Sequence, residues 1–354
     1  MTRRMFFVSL AALSAATAAF AAPPRPIGDS RFLASVPAPG YPEGIAIHGN
    51  RIYVSGPAAF NVPGAPSIWV YDKNTNALVE TIEVQGFGSP VFGVSCIAFG
   101  DGEKLYVAAE GVGIVEVNVA TRAQRLYAGG FQFVGGSQYQ SGPAMLLNDL
   151  AFDKRGYLYV TDSFQAAIWR VPPGGGAPVL WYHSSLVDGV FGPNGVRVDA
   201  KSEKLYFDVT LVPGGFDQNG PINSTGAVYT LPLIDSPTDS DLQLFHAYPT
   251  ESGGLYGSVG PDGVAFGKSG NLYVALAGSS QISVLSPSGQ EIARFSGPAA
   301  TSDPNQPLTW QNPANIAIDN SGKRLLVTNH ASLVSNPVFA IFDVYVDDHE
   351  GKLW

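Results

Sequence analysis

Short apolar runs along most of the chain alternate with polar positions and are interrupted by Gly, Asp, Asn, Lys and Ser. This period of two predicts β-strands joined by tight turns. The clearest stretch is Asn148-Asp149-Leu150-Ala151-Phe152, a turn Asp153-Lys154-Arg155-Gly156, then Tyr157-Leu158-Tyr159-Val160-Thr161, which reads as a hairpin. The same unit, a head residue before an apolar strand, begins at Glu43, Ser95, Asn194, Asp262 and Ala314, giving six copies, five of them with a polar head. A third strand follows most copies, as in Ser67–Tyr71, Gly113–Val117, Ala167–Val171 and Gln281–Leu285, and then usually a fourth, such as Leu78–Val84.

Six units of four antiparallel strands, at a repeat of roughly 50 residues, predict an all-β chain folded as a six-bladed β-propeller. A sandwich would not need six similar units, and solenoid repeats are shorter. Blade six offers one more convincing strand after its hairpin, Val338–Val346. Its outer strand comes either from Arg31–Val36 near the start of the chain or from Lys352–Trp354, and the sequence leaves both open.

Composition agrees, with 41 Gly and 27 Pro against only 14% charged residues, the balance of many turns and few surface helices. Residues 1–22 read as an export signal: Arg3 and Arg4, an apolar run to Phe20, and the small-x-small site Ala19-Phe20-Ala21. The arginine pair resembles the twin-arginine type. The expectation is therefore a secreted or periplasmic protein, with residues 23–354 forming one propeller domain. The run is shorter than the roughly 20 apolar residues that span a bilayer, so no membrane association is expected after cleavage. Cleavage removes two of 20 basic residues and none of 29 acidic ones, taking the net charge from −9 to about −11. Nucleic acid is an unsuitable partner for such a chain. The single cysteine, Cys96, lies in an apolar run and reads as a buried small residue; it rules out an internal disulfide.

In a propeller the inner strands converge on one axis, so equivalent positions form a ring. The heads of the six inner strands are Glu43, Ser95, Asn148, Asn194, Asp262 and Ala314. Two carboxylates and two amide carbonyls among them are hard oxygen donors. That set suits Ca2+, with Mg2+ or Mn2+ as alternatives. Zn2+ and copper are disfavoured because the ring offers no His or Cys. Taken singly, each head is equally a turn residue introducing a strand.

The motifs Tyr41-Pro42-Glu43-Gly44, Leu147-Asn148-Asp149, Gly192-Pro193-Asn194-Gly195 and Gly260-Pro261-Asp262-Gly263 resemble the metal-site motifs of a known family. It is the senescence-marker-protein, gluconolactonase and luciferin-regenerating-enzyme family, related to the diisopropyl fluorophosphatases and paraoxonases. The resemblance covers the chain after residue 22 nearly end to end. It implies a six-bladed propeller with a catalytic divalent cation, held by Glu43, Asn148, Asn194 and Asp262, that hydrolyses a lactone or related ester. It also implies that Asp262 is the base or nucleophile.

Asp149, Ser95 and His330 are candidates for the substrate side; the plainer readings are a turn acid, a non-ligating head and a loop histidine. Gly-x-Ser-x-Gly is absent, since Tyr256-Gly257-Ser258-Val259-Gly260 lacks the first Gly, which counts against a serine hydrolase. Loops at 130–145, 211–226 and 253–260 carry Phe131, Phe133, Tyr139, Phe216 and Tyr256, walls suited to a partly apolar small molecule. The rival readings are a non-catalytic binding or scaffold propeller with a structural cation, and a strictosidine synthase-like enzyme.

Overall fold

A computed structural model describes residues 25–86, 92–135, 138–139, 145–199, 201, 203–218, 220–298 and 309–351. Six four-stranded antiparallel sheets are arranged as the blades of a propeller. Their inner strands are Ile45–His48, Val94–Phe99, Leu147–Phe152, Phe191–Asp199, Pro261–Phe266 and Pro313–Asp319. The second strands are Arg51–Gly56, Lys104–Ala109, Leu158–Asp162, Lys204–Val212, Leu272–Leu276 and Arg324–Asn329. Chain position decides polarity in the expected way: Leu158–Asp162 is buried throughout, whereas the outer strand Leu78–Glu83 is mostly exposed.

Six hydrophobic clusters hold the ring, one at each junction between blades. Between blades three and four, for example, Tyr159, Ile168 and Trp181 pack on Val196, Phe207 and Leu231. The core is therefore a closed band around the axis, and the axis itself is left for other side chains.

The outer strand of blade six is Ser30–Ser35, paired with Ala340–Tyr345. Of the two closures left open by the sequence, this is the N-terminal one, shifted by one residue. Lys352–Trp354 lies outside the described residues. A charged seam accompanies the closure: Arg25 donates to Asp29 at 2.7 Å and to Asp343 at 2.5 Å, and Arg324 reaches Asp343 at 2.8 Å. The long insertion of blade four holds a two-stranded ribbon, Gly215–Asp217 with Gly220–Ile222.

Candidate functional site

The hairpin register decides which side chains meet at the axis. Ile45, Ile97, Leu150, Val196, Val264 and Ile316 each pair with the equivalent residue of their second strand. The residue two places earlier is Glu43, Ser95, Asn148, Asn194, Asp262 or Ala314, so the six heads share one level of the ring. In blades two to six the ladder shifts just there, for instance between Leu147 and Leu150 and between Pro261 and Val264. A bulge frees its residue from regular pairing and re-aims its side chain. That is how apolar strands present Asn148, Asn194 and Asp262 to the axis.

Two hydroxyls orient the amides. Ser163 donates its only proton to the Pro193 carbonyl at 2.8 Å, so its oxygen must accept from Asn148, whose Nδ2 lies 3.0 Å away. Asn194 Nδ2 likewise donates to Thr210 Oγ1 at 2.9 Å. With both NH2 groups engaged, Asn148 Oδ1 and Asn194 Oδ1 are left buried and without partners, as is Asp262 Oδ1. Unpaired buried oxygens are costly and uncommon. Three at one level of a channel fit the hard-oxygen donor set that a divalent cation takes.

The electrostatics point the same way. Burial, then the charges of Asp262 and Asp149, raises the Glu43 carboxyl well above the ordinary carboxylate range. Burial and Asp149 do the same to Asp262, which keeps partial access to solvent. A bound cation would reverse this and keep both ionised. Among the described residues no three His, Cys, Asp or Glu side chains converge to hold a metal, so a cation at the ring would have to draw on the two amide oxygens.

One level below, a belt of hydroxyls stitches neighbouring blades. Thr161 Oγ1 donates to the Asn194 carbonyl at 2.6 Å, Thr328 Oγ1 to the Glu43 carbonyl at 2.7 Å, and Ser55 Oγ to the Ser95 carbonyl. Each accepts in turn from its own blade: from Asp149 N at 2.9 Å, Asn315 N at 2.9 Å and Gly44 N at 3.0 Å. Blades two and five have Ala108 and Ala275 at this position. Blade four has Asp208, which the sequence reading did not single out.

Asp208 is fully buried with both carboxylate oxygens unpartnered. A Cβ built on Gly195 would lie 2.0 Å from the Asp262 carbonyl oxygen and 2.7 Å from Asp208 Oδ2, so only glycine fits there and the two oxygens are close neighbours. Burial, then Asp262 and Asp149, pushes the Asp208 carboxyl well above its ordinary range.

An acid whose pKa is raised by folding keeps its proton in the native state and loses it in the unfolded one. Its contribution to stability is whole below the unfolded value and is lost as pH rises through the folded one. The contribution of Asp208 to the stability of cation-free protein should therefore decline as pH rises above about 4, the unfolded carboxylate value. Asp208→Asn, which supplies an N–H donor at any pH, should flatten that decline and add about 1–3 kcal/mol at pH 8. Urea unfolding of both proteins at pH 5 and pH 8, with chelator present, checks it. Equal pH slopes would show that Asp208 is ionised at no cost.

The remaining candidates are placed as follows. Asp149 is fully buried and accepts from Leu150 N at 2.8 Å, Val196 N at 3.0 Å and Arg197 Nη1 at 2.6 Å. Ser95 Oγ donates to the Leu147 carbonyl at 2.5 Å and so joins blades two and three. His330 sits at the ring, with Nε2 2.8 Å from the Ala58 carbonyl and 3.6 Å from Glu43 Oε2. Burial lowers its pKa to about 4, so it is neutral, with Nε2 carrying the hydrogen donated to Ala58. On the same side Phe92, Phe164 and Leu146 cluster with Phe191, and Phe60 packs edge-on to Phe92. These aromatic walls were not anticipated. Of the loop aromatics that were, Tyr139 stacks on Phe216 and Phe131 packs on Trp169, while Phe133 and Tyr256 are exposed.

Comparison with known proteins agrees with this architecture. A family model described as the SMP-30/gluconolactonase/LRE-like region matches residues 64–305. No curated protein sequence matches the chain. Among solved structures, a calcium-binding protein, regucalcin, from Agrobacterium tumefaciens aligns at 16% identity over 92% of this chain and 96% of its own, with a TM-score of 0.62. Luciferin-regenerating enzyme aligns at 13% identity over 92% and 97%, TM-score 0.56. Virginiamycin B lyase from Staphylococcus aureus does so at 15% identity over 88% and 87%, TM-score 0.52. At such identities the likeness is one of fold.

Proposed function

Since the chain belongs to the SMP-30/gluconolactonase/LRE-like family, we propose that it is a divalent-cation-dependent hydrolase that opens a lactone or related ester at the axial ring. The observation that carries this reading is the set of three buried, unpartnered oxygens, Asn148 Oδ1, Asn194 Oδ1 and Asp262 Oδ1, level with Glu43. A cation held there, Ca2+ by the hardness of its donors, would polarise the substrate carbonyl and offset the charge developing on its oxygen.

The chain's own residues do the rest. Ser163 and Thr210 fix the amide oxygens toward the axis, so little reorganises on binding. Asp262, the one head with partial solvent access, accepts the proton of the attacking water and returns it to the ring oxygen as the ester bond breaks. His330, tied to the Ala58 carbonyl and neutral, packs against Glu43 and keeps that side of the ring free of a competing positive charge. The cluster of Phe92, Phe164 and Leu146, with Phe60 at its edge, favours a lactone with an apolar substituent over a bare sugar acid.

We propose in addition that residues 1–22 act as an export signal, so that the activity would lie outside the cytoplasm. The test is a panel of lactones and aryl esters assayed with Ca2+ and after chelation. Turnover should require the cation and return when it is restored. Activity that survives complete chelation would overturn the reading, and a bound cation with no turnover on any substrate would favour a binding module.

A further inference from the structure

Three places down each inner strand from the ring heads stand Ala46, Ala98, Ala151, Arg197, Ala265 and Ala317. Five blades thus present a methyl group where blade four presents a guanidinium. All six line a cavity of about 240 Å3 on the axis, at the end of the inner strands away from the candidate cation site. Its other walls are apolar, including Ile45, Ile97, Leu150 and Ile316, and Glu350 stands at its rim.

Arg197 is the group between this cavity and the layer above. Its Nη1 donates to Asp149 Oδ2 at 2.6 Å and to the Val196 carbonyl at 2.6 Å, and its Nη2 to Asn315 Oδ1 at 3.3 Å. Asn315 Nδ2 in turn donates to Cys96 Sγ at 2.9 Å. The chain of contacts crosses the axis and joins blades four, three, six and two. Asn315 lies over Gly263, where an added Cβ would come within 2.6 Å of its Oδ1.

We propose that Arg197 is the stopper of the axial channel. One long side chain, given room by five alanines, seals the channel between the lower cavity and the ring. Its fixed charge also commits Asp149 to a structural role, leaving that carboxylate unavailable to substrate or a diffusible ion. The ring is then reached from one side only. The seal acts whether or not the ring is catalytic.

Cys96, 1% exposed and the sole cysteine, reports on the seal because it lies just past Asn315. In native wild-type protein it should resist methyl methanethiosulfonate. Arg197→Ala puts at this position the residue that the other five blades carry and opens the cavity toward Asn315. Cys96 should then react at least about tenfold faster under native conditions. That variant leaves Asp149 buried without its partner, which could prevent folding. The double variant Arg197→Ala/Asp149→Asn removes one charge of each sign, so it relieves that problem and disturbs the thiol's ionisation least. It should unfold cooperatively and show the same acceleration. If either variant is folded and keeps Cys96 as protected as in the wild type, Arg197 does not close the channel.

Discussion

Asp262→Asn should leave the fold intact and lower the kcat/KM for lactone opening by about 10²- to 10⁴-fold, the range for losing a positioned general base. Asparagine keeps the side-chain shape and an oxygen toward the ring, but it cannot take a proton from water. Asp262 Oδ1, without a hydrogen bond in the wild-type protein, is the oxygen that asparagine would keep toward the ring. Steady-state kinetics at saturating Ca2+, together with calorimetric titration of Ca2+, separate the two roles. A variant that binds the ion less than about tenfold more weakly yet has lost turnover places the chemistry on Asp262. A variant with near wild-type turnover removes Asp262 from the reaction.

Glu43→Gln should produce opposite effects with and without the cation. In chelator the variant should be the more stable protein at neutral pH, because Glu43 is one of the carboxyls that burial and its acidic neighbours hold above the ordinary range. With Ca2+ the order should reverse. The wild type gains the stabilisation that accompanies binding to the folded state alone, about 2.7 kcal/mol at a hundred times the dissociation constant. The variant, with one of two ring carboxylates neutralised, should need about a hundredfold more Ca2+ for the same rise, on the scale of 1.4 kcal/mol per tenfold. Thermal unfolding over a Ca2+ titration reads both effects. A stabilisation by Ca2+ that is the same in both proteins would take Glu43 out of the cation site.

The fold and the four proposed ligands were legible because one feature repeats six times. Asn148 alone is an ordinary turn residue; it gains meaning from Glu43, Asn194 and Asp262 occupying the same place in other copies. Asp208 and Arg197 escaped because they lie inside apolar runs, Leu205-Tyr206-Phe207-Asp208-Val209 and Val196-Arg197-Val198. Alternation there reads them as outward-facing strand residues. Near a propeller axis that rule fails, since a side chain leaving the inner hairpin meets the next blade or the channel rather than water.

Both Asp208 and Arg197 stand out against their equivalents in the other blades, as the ring heads do. Position by position, the second strands give Ser55, Ala108, Thr161, Asp208, Ala275 and Thr328, and the inner strands give five alanines and Arg197. Ser163 follows the second strand Leu158–Asp162, whereas Thr210 lies within Lys204–Val212, and the two could be matched to Asn148 and Asn194 only with the register known. The choice between two closing strands was beyond sequence altogether, because both segments are short and amphipathic and nothing local favours one.

That closing strand also affects how quickly the protein can form. Ser30–Ser35 emerges early from the ribosome, and its partner Ala340–Tyr345 is made about 300 residues later. Contacts of such separation form slowly, since the loop entropy is lost before pairing gives anything back. Until they form, the third strand of blade six has a bare edge, the kind of template on which a strand from another molecule can settle. Five blades are completed by neighbouring sequence and leave no such opening. The hazard of misassembly is thus confined to one seam, where Arg25, Asp29, Arg324 and Asp343 select the right strand by charge as well as by shape.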